Sequence, residues 1–140
     1  MPVSYRMSGD VVIFESIGEY QWNDMLNIVD TALSSLEHES EMHLLFDERK
    51  ARYVPKAEEI RLIVNHLEKW RHKIKKIALV VEETAQYGMG RMAQAYLEYS
   101  ERTFNVFFDA EEAFEWLGKK EVTSSVQDNP SISGKRKGNT

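Results

Sequence analysis

Between Lys76 and Trp116 the hydrophobic pattern changes period three times, and this constrains the fold more than any other feature of the chain. Ile77–Val81 is a near-continuous apolar run, the pattern of a strand covered on both faces. After a break over Glu82–Gly90, the residues Met89, Met92, Ala93, Tyr96 and Leu97 recur at helical spacing, with Thr84 a cap for a helix starting near Ala85 or Gly88. Asn105–Phe108 is apolar again. Asp109 then caps a short helix running through Glu111 and Glu112 to Phe114, Trp116 and Leu117, and Gly118 stops it. Strand, helix, strand, helix in direct succession calls for parallel strands joined by crossovers.

The preceding residues extend the pattern. Val3–Arg6 and Asp10–Ile17 flank the turn signal Ser8-Gly9-Asp10 and read as a hairpin. Trp22, Met25, Leu26, Val29, Leu33 and Leu36 form one stripe of a helix over Gln21–Leu36. Met42–Asp47 reads as a buried strand that delivers the charges Asp47-Glu48-Arg49-Lys50 to a sheet edge. Pro55 suits a first helical position, with Glu58 and Glu59 in the first turn near the positive end of the helix dipole. Ile60, Ile63, Val64, Leu67 and Trp70 carry that helix's stripe, and Lys69, Arg71, His72 and Lys73 crowd its far end. The order β-β-α-β-α-β-α-β-α predicts an α/β fold: a mixed, mostly parallel sheet of about five strands, with about four helices, right-handed crossovers and one antiparallel strand from the hairpin.

Residues 1–118 hold all of these elements and make one domain, for which 140 residues at 42% hydrophobic content suffice. Residues 119–140 form a polar tail with five basic and two acidic side chains, so of the net charge of −5 the first 118 residues carry −8. A body of that sign repels phosphate backbones and argues against nucleic acid as a partner. The tail reads as solvated, too poor in apolar residues to offset its own ordering entropy. No apolar run approaches the roughly 18 residues of a membrane span. Without cysteine there is neither a disulfide framework nor a thiolate site, which fits a reducing cytoplasm.

The element order resembles the SpoIIAA-like group, which includes STAS domains and the Sec14-type lipid-binding domains. The likeness spans residues 3–118. It is carried by the strand ending Leu44-Leu45-Phe46-Asp47, by Ile77-Ala78-Leu79-Val80-Val81 and by the closing Phe108-Asp109-Ala110-Glu111-Glu112-Ala113-Phe114-Glu115-Trp116-Leu117. It implies a superhelix of four βα turns and a noncatalytic regulatory or binding role in bacteria. In STAS anti-sigma antagonists the third strand leads to a phosphorylated serine. Asp47 fits the acidic residue ending that strand, but the serine position falls near Val54-Pro55-Lys56-Ala57, where there is no hydroxyl, so no phosphosite carries over.

Few constellations carry chemistry. Gly88-x-Gly90-x-x-Ala93, with Asp109 beyond it, matches a dinucleotide fingerprint in letters. Glu82–Tyr87 nevertheless separate it from the strand, and Glu82 and Glu83 stand where a pyrophosphate would approach, so these glycines are read as close-packing positions and no cofactor is expected. His38, His43, His66 and His72 share no ligand spacing, so no metal site is expected. Gly-x-Ser-x-Gly is absent, and no catalytic residue is assigned. Ligands in parallel sheets sit at the strands' carboxyl ends. The candidate site is therefore Asp47, Glu48, Arg49, Tyr87 and Arg91, with Arg91 suited to a carboxylate or phosphate, or to a structural pair with Glu83, Asp109 or Glu48. The expected function is a noncatalytic STAS-like module engaging a protein partner, a second copy of itself or a small ligand. The alternatives are a Sec14-like carrier of a lipid or small apolar ligand, which would show an apolar pocket of several hundred cubic ångström, or an enzyme.

Overall fold

A computed structural model describes residues 2–36, 41–97 and 104–118; the tail 119–140 and the polar stretch 37–40 lie outside the described residues. Strands β1 (Val3–Ser8) and β2 (Val11–Gly18) are followed by helix α1 (Trp22–Ser34), β3 (Met42–Ala51), α2 (Ala57–Lys69), β4 (Ile74–Val80), α3 (Thr84–Leu97), β5 (Phe104–Phe107) and α4 (Ala110–Leu117). A single 3-10 turn, Arg71–Lys73, joins α2 to β4. The sheet order is β1-β2-β3-β4-β5, with β1 antiparallel to β2 and the other pairs parallel. The expected order of elements and the mixed, mostly parallel sheet are both present.

Strand order follows chain order without reversal, and this decides where the helices go. When every crossover has the same hand, unreversed order sends each connecting helix to the same face. Accordingly α1, α2 and α3 pack over Val12, Phe14, Leu44, Phe46, Ile77 and Val106, while α4 alone packs on Leu45, Ala78 and Val80 of the opposite face. A doubly wound sheet binds ligands in the crevice where its strand order reverses. Among the described residues the strand order does not reverse, and an apolar pocket lies between the sheet and its helical layer.

The local signals work as expected at several ends. The Asp109 carboxylate accepts the Glu111 N–H, and Gly118 closes α4 at φ 81° in the left-handed region. At α2 the helix begins at Ala57 instead of Pro55, and the Glu59 carboxylate returns to the Lys56 N–H at 2.9 Å. β4 is buried on both faces, as its apolar run predicts, with Ile77, Ala78 and Val80 at 0% exposure.

Two expectations change. β3 does not stop at Asp47 but continues to Ala51: an extra residue of β3 between Asp47 and Lys50, opposite Glu15 and Ile17 of β2, shifts the register so that Ile17 pairs with Lys50 and Gly18 with Ala51. Lys73, one of the cations at the far end of α2, is buried at 8% exposure. The glycines of the apparent fingerprint fall inside α3, where their backbone is committed to the helix and cannot cradle a phosphate. Gly90 is a close-packing position: a Cβ there would lie 2.7 Å from Leu79 Cδ2 and 2.8 Å from Val106 Cγ2. Gly88 is not, since a Cβ there would meet open space.

Candidate functional site

The pleat of β3 divides the charged run. Up to the irregularity successive side chains alternate between faces, so Asp47 follows Leu45 onto the face opposite α1–α3, while Glu48 follows Leu44 and Phe46 beneath the helical layer. On the outer face Arg49 holds Asp47 through Nε to Oδ1 at 2.9 Å and Nη2 to Oδ2 at 2.8 Å. Partial burial of Asp47 raises its pKa, but the hydrogen bonds and charge of Arg49 outweigh this and leave it below the usual carboxylate value.

Glu48 has different surroundings. Ser16, fully buried on the same face of β2, donates its hydroxyl to Oε2 at 2.8 Å, and the Tyr20 hydroxyl donates to Oε1 at 3.0 Å. Burial of the carboxyl pushes its pKa up to about 7 against the lowering effect of these two bonds, and the neighbouring charge of Asp47 adds to the rise. Burial and the adjacent carboxylate likewise hold the Tyr20 phenol protonated far above its usual range. Among the described residues no cation pairs with Glu48.

The carboxyl lines an apolar pocket of about 80 Å³ between β3, β4 and the helical layer, walled by side chains such as Met25, Ile63, Leu79 and Met89. Gln86 braces one side. Its Nε2 donates to the Glu48 carbonyl at 2.8 Å, and its Oε1 accepts the N–H groups of Glu82 and Glu83 at 3.0 and 3.1 Å, tying the start of α3 to the end of β3. Three aromatic residues form the other side, Tyr20 and Tyr53 from the loops beyond β2 and β3 and Trp22 from the first position of α1, with the Tyr20 ring 6.2 Å from Trp22 and edge-on to Tyr53 at 5.5 Å. The Tyr53 hydroxyl donates to Glu59 at the start of α2. The same three aromatics line a second, outer cleft of about 510 Å³, whose charged lining residues are Glu19, Asp24 and Glu59. The indole N–H of Trp22 is buried without a hydrogen-bond partner among the described residues.

Of the five residues singled out from the sequence, then, Glu48 enters the pocket, and Asp47 and Arg49 lie behind it on the other face. Tyr87 and Arg91 form a separate surface group. The Arg91 Nε and Nη2 donate to the Tyr87 hydroxyl at 3.0 and 2.7 Å, and Nη1 donates to Gln94 at 2.6 Å. These partners replace the carboxylates Glu83, Asp109 or Glu48 suggested by spacing. Tyr87 stacks on Phe108, with centroids 5.0 Å apart. Ser16, Tyr20, Trp22, Tyr53 and Gln86 were not singled out. Carrying the Val12-Phe14 and Leu44-Phe46 alternation two residues further would have found Ser16 and Glu48 together.

Among the described residues no three His, Cys, Asp or Glu side chains gather as a metal site, and no helix is long and apolar enough to cross a membrane. In comparison with solved structures, the chain is similar to an uncharacterized protein of the DUF3478 family from Shewanella loihica PV-4, described as having a SpoIIAA-like fold. The match has 19% identity and a TM-score of 0.56, covering 82% of this chain and 91% of that one. No family model matches the sequence, and no curated protein matches it. The fold is SpoIIAA-like, as the sequence resemblance implied.

Proposed function

We propose that the protein is a noncatalytic STAS-like binding module, working as a regulatory component of the bacterial cytoplasm, and that its site is the pocket at the carboxyl end of β3. One observation carries this reading: Glu48 is placed beneath the helical layer, beside an apolar pocket, with two neutral hydrogen-bond donors and, among the described residues, no cation to balance it. A buried, unneutralised carboxyl is costly to the fold and is retained where something outside the chain completes it. Ser16 is fully buried, so its hydroxyl serves to orient Glu48 and is out of reach of a substrate.

The dimensions define the mode of binding. A space of about 80 Å³ is small beside the roughly 300–1,000 Å³ of an ordinary ligand pocket. It accepts one apolar group of a few heavy atoms, with the rest of the ligand lying in the outer cleft past Tyr20, Trp22 and Tyr53. An enclosed lipid carrier of the Sec14 type requires more room. A protein partner has a separate landing point where Phe108, 52% exposed, stacks on Tyr87 beside Arg91.

The test uses the methionines as reporters. Met25 and Met89 line the pocket, whereas Met7 is exposed on β1 away from it. Titration of methyl-labelled protein with 1-hexanol is expected to shift the Met25 and Met89 signals in a saturable manner and leave Met7 in place. Absence of a saturable shift at Met25 and Met89 removes the pocket as a site. Native mass spectrometry of the same sample reads a retained ligand and self-association together.

A further inference from the structure

We infer that the pocket and its outer cleft select a small amphiphilic amine, its apolar body among the pocket side chains and its ammonium at the Glu48 carboxylate beside the rings of Tyr20, Trp22 and Tyr53. This deepens the binding-module reading and rests on it.

Four observations converge. First, the charged residue lining the inner pocket is Glu48, and those lining the outer cleft are Glu19, Asp24 and Glu59; neither space has a lysine or arginine among its lining residues. A carboxylate or phosphate ligand would therefore meet only like charge. Second, the carboxylate has capacity left. Each Glu48 oxygen accepts one bond, from Ser16 or Tyr20, while an ionised carboxylate offers about four lone-pair sites.

Third, the aromatic side chains stand where the charge would sit. Tyr20 lines both spaces and its hydroxyl bonds Glu48, so the carboxylate lies close to where pocket and cleft meet. Tyr53 and Trp22 also line both spaces, and a cation over such rings gains from their quadrupoles, more so when desolvated. Fourth, burial disfavours the Glu48 charge and no cation among the described residues relieves it, so an incoming ammonium gains a pairing that water does not already supply. The groups facing that carboxyl are Ser16 from β2, Tyr20 from the β2–α1 loop and its strand neighbour Asp47; none of them brings a positive charge.

The decisive experiment holds the apolar body constant and varies the head. Dissociation constants for n-hexylamine, 1-hexanol and hexanoate are read at pH 8 from the Met25 and Met89 methyl signals of the unmodified protein, so that cations condensing elsewhere on an acidic surface are not counted. The expected order is hexylamine at least tenfold tighter than hexanol, with hexanoate weaker than hexanol. In Glu48→Gln the amine-to-alcohol ratio is expected to fall below threefold. Equal binding of amine and alcohol, or hexanoate as tight as hexylamine, overturns the amine assignment while leaving the pocket as a binding site. Failure of all three ligands to shift Met25 and Met89 overturns both. The ligand series on the unmodified protein decides between these outcomes even where Glu48→Gln fails to fold.

Discussion

Two charges are buried beneath the same helical layer, at opposite ends of the parallel strands, and they are treated in opposite ways. Lys73, in the turn before β4, sends Nζ to the Leu33 and Leu36 carbonyls at 3.2 and 3.4 Å and lies 5.3 Å from the Trp70 ring centroid. Those carbonyls belong to the end of α1, whose last turn has no basic residue of its own, so Lys73 meets orphan acceptors at the negative end of a helix dipole. Glu48, near the end of β3, receives two neutral donors and, among the described residues, no opposite charge. Burial of a charge is therefore not in itself a sign of a site. At Lys73 the fold supplies the complementary partners and the charge fastens two elements together. At Glu48 the fold leaves the complement out, and a pocket stands beside the gap.

The largest expected effect tests whether Glu48 is as unneutralised as its surroundings imply. Its carboxyl titrates near pH 7 when folded against 4.5 when unfolded, so between those values the folded state binds the proton more tightly. Stability from this group is then highest below pH 4.5, falls as pH rises, and levels off above about 7. At 1.36 kcal/mol per pH unit, the interval from 4.5 to about 7 amounts to about 3 kcal/mol. Glu48→Gln keeps groups that can bond Ser16 and Tyr20 but does not titrate. Denaturant unfolding from pH 5 to 8 is expected to show the variant gaining on the parent as pH rises and exceeding it at pH 8. Parallel pH profiles would erase the contrast with Lys73, because the Glu48 charge would then be as well accommodated by the fold as that of Lys73.

Lys73→Met gives the smaller, opposite result. The apolar stem is kept, but two helix-end carbonyls lose a charged donor, for a cost of about 2 kcal/mol in denaturant unfolding. Hexanol and hexylamine binding, read at Met25 and Met89, should match the parent, since Lys73 touches neither space. A change in ligand affinity without a matching change in stability would make Lys73 part of the site and break the comparison from the other side.

The sequence shows the fold more clearly than the site, and particular residues explain why. Val12-Phe14, Ile77–Val81 and the stripe from Met25 to Leu33 are periodic signals, and Asp109 and Gly118 are local cap signals; each can be read within one element. Glu48 is disguised by its neighbours, because Asp47-Glu48-Arg49-Lys50 reads as a solvated edge until the strand is known to run on to Ala51. That continuation depends on pairing with β2 across a register shift, which is a property of two strands together. Tyr20, Trp22 and Tyr53 meet only because the β2–α1 junction and the loop after β3 converge over adjacent strands, and no spacing within the chain encodes that. Gly90 was legible as a close-packing position in spite of its motif, because Glu82–Tyr87 separate it from the preceding strand. Its letters match a phosphate loop, while its position in α3 against Leu79 and Val106 shows close helix–sheet contact.

The smallest expected effect sharpens the comparison within a single strand. Asp47 and Glu48 are adjacent carboxylates that the pleat sends to opposite faces, the first to a bidentate pair with Arg49 and the second to the pocket. The Asp47 pKa is lowered, so its contribution is present above the unfolded value of 3.8 and is lost as pH falls through the folded one, the reverse of the sign at Glu48. Arg49 is well exposed, and ion pairs of that kind contribute about 0–1 kcal/mol. Asp47→Asn should thus lower stability by no more than about 1 kcal/mol at pH 7. The difference should shrink as pH falls below 3.8, and the hexylamine-to-hexanol ratio should stay at the parent value throughout. A drop in that ratio comparable to the one in Glu48→Gln would mean that negative charge at the end of β3, rather than a carboxylate directed into the pocket, is what attracts the amine.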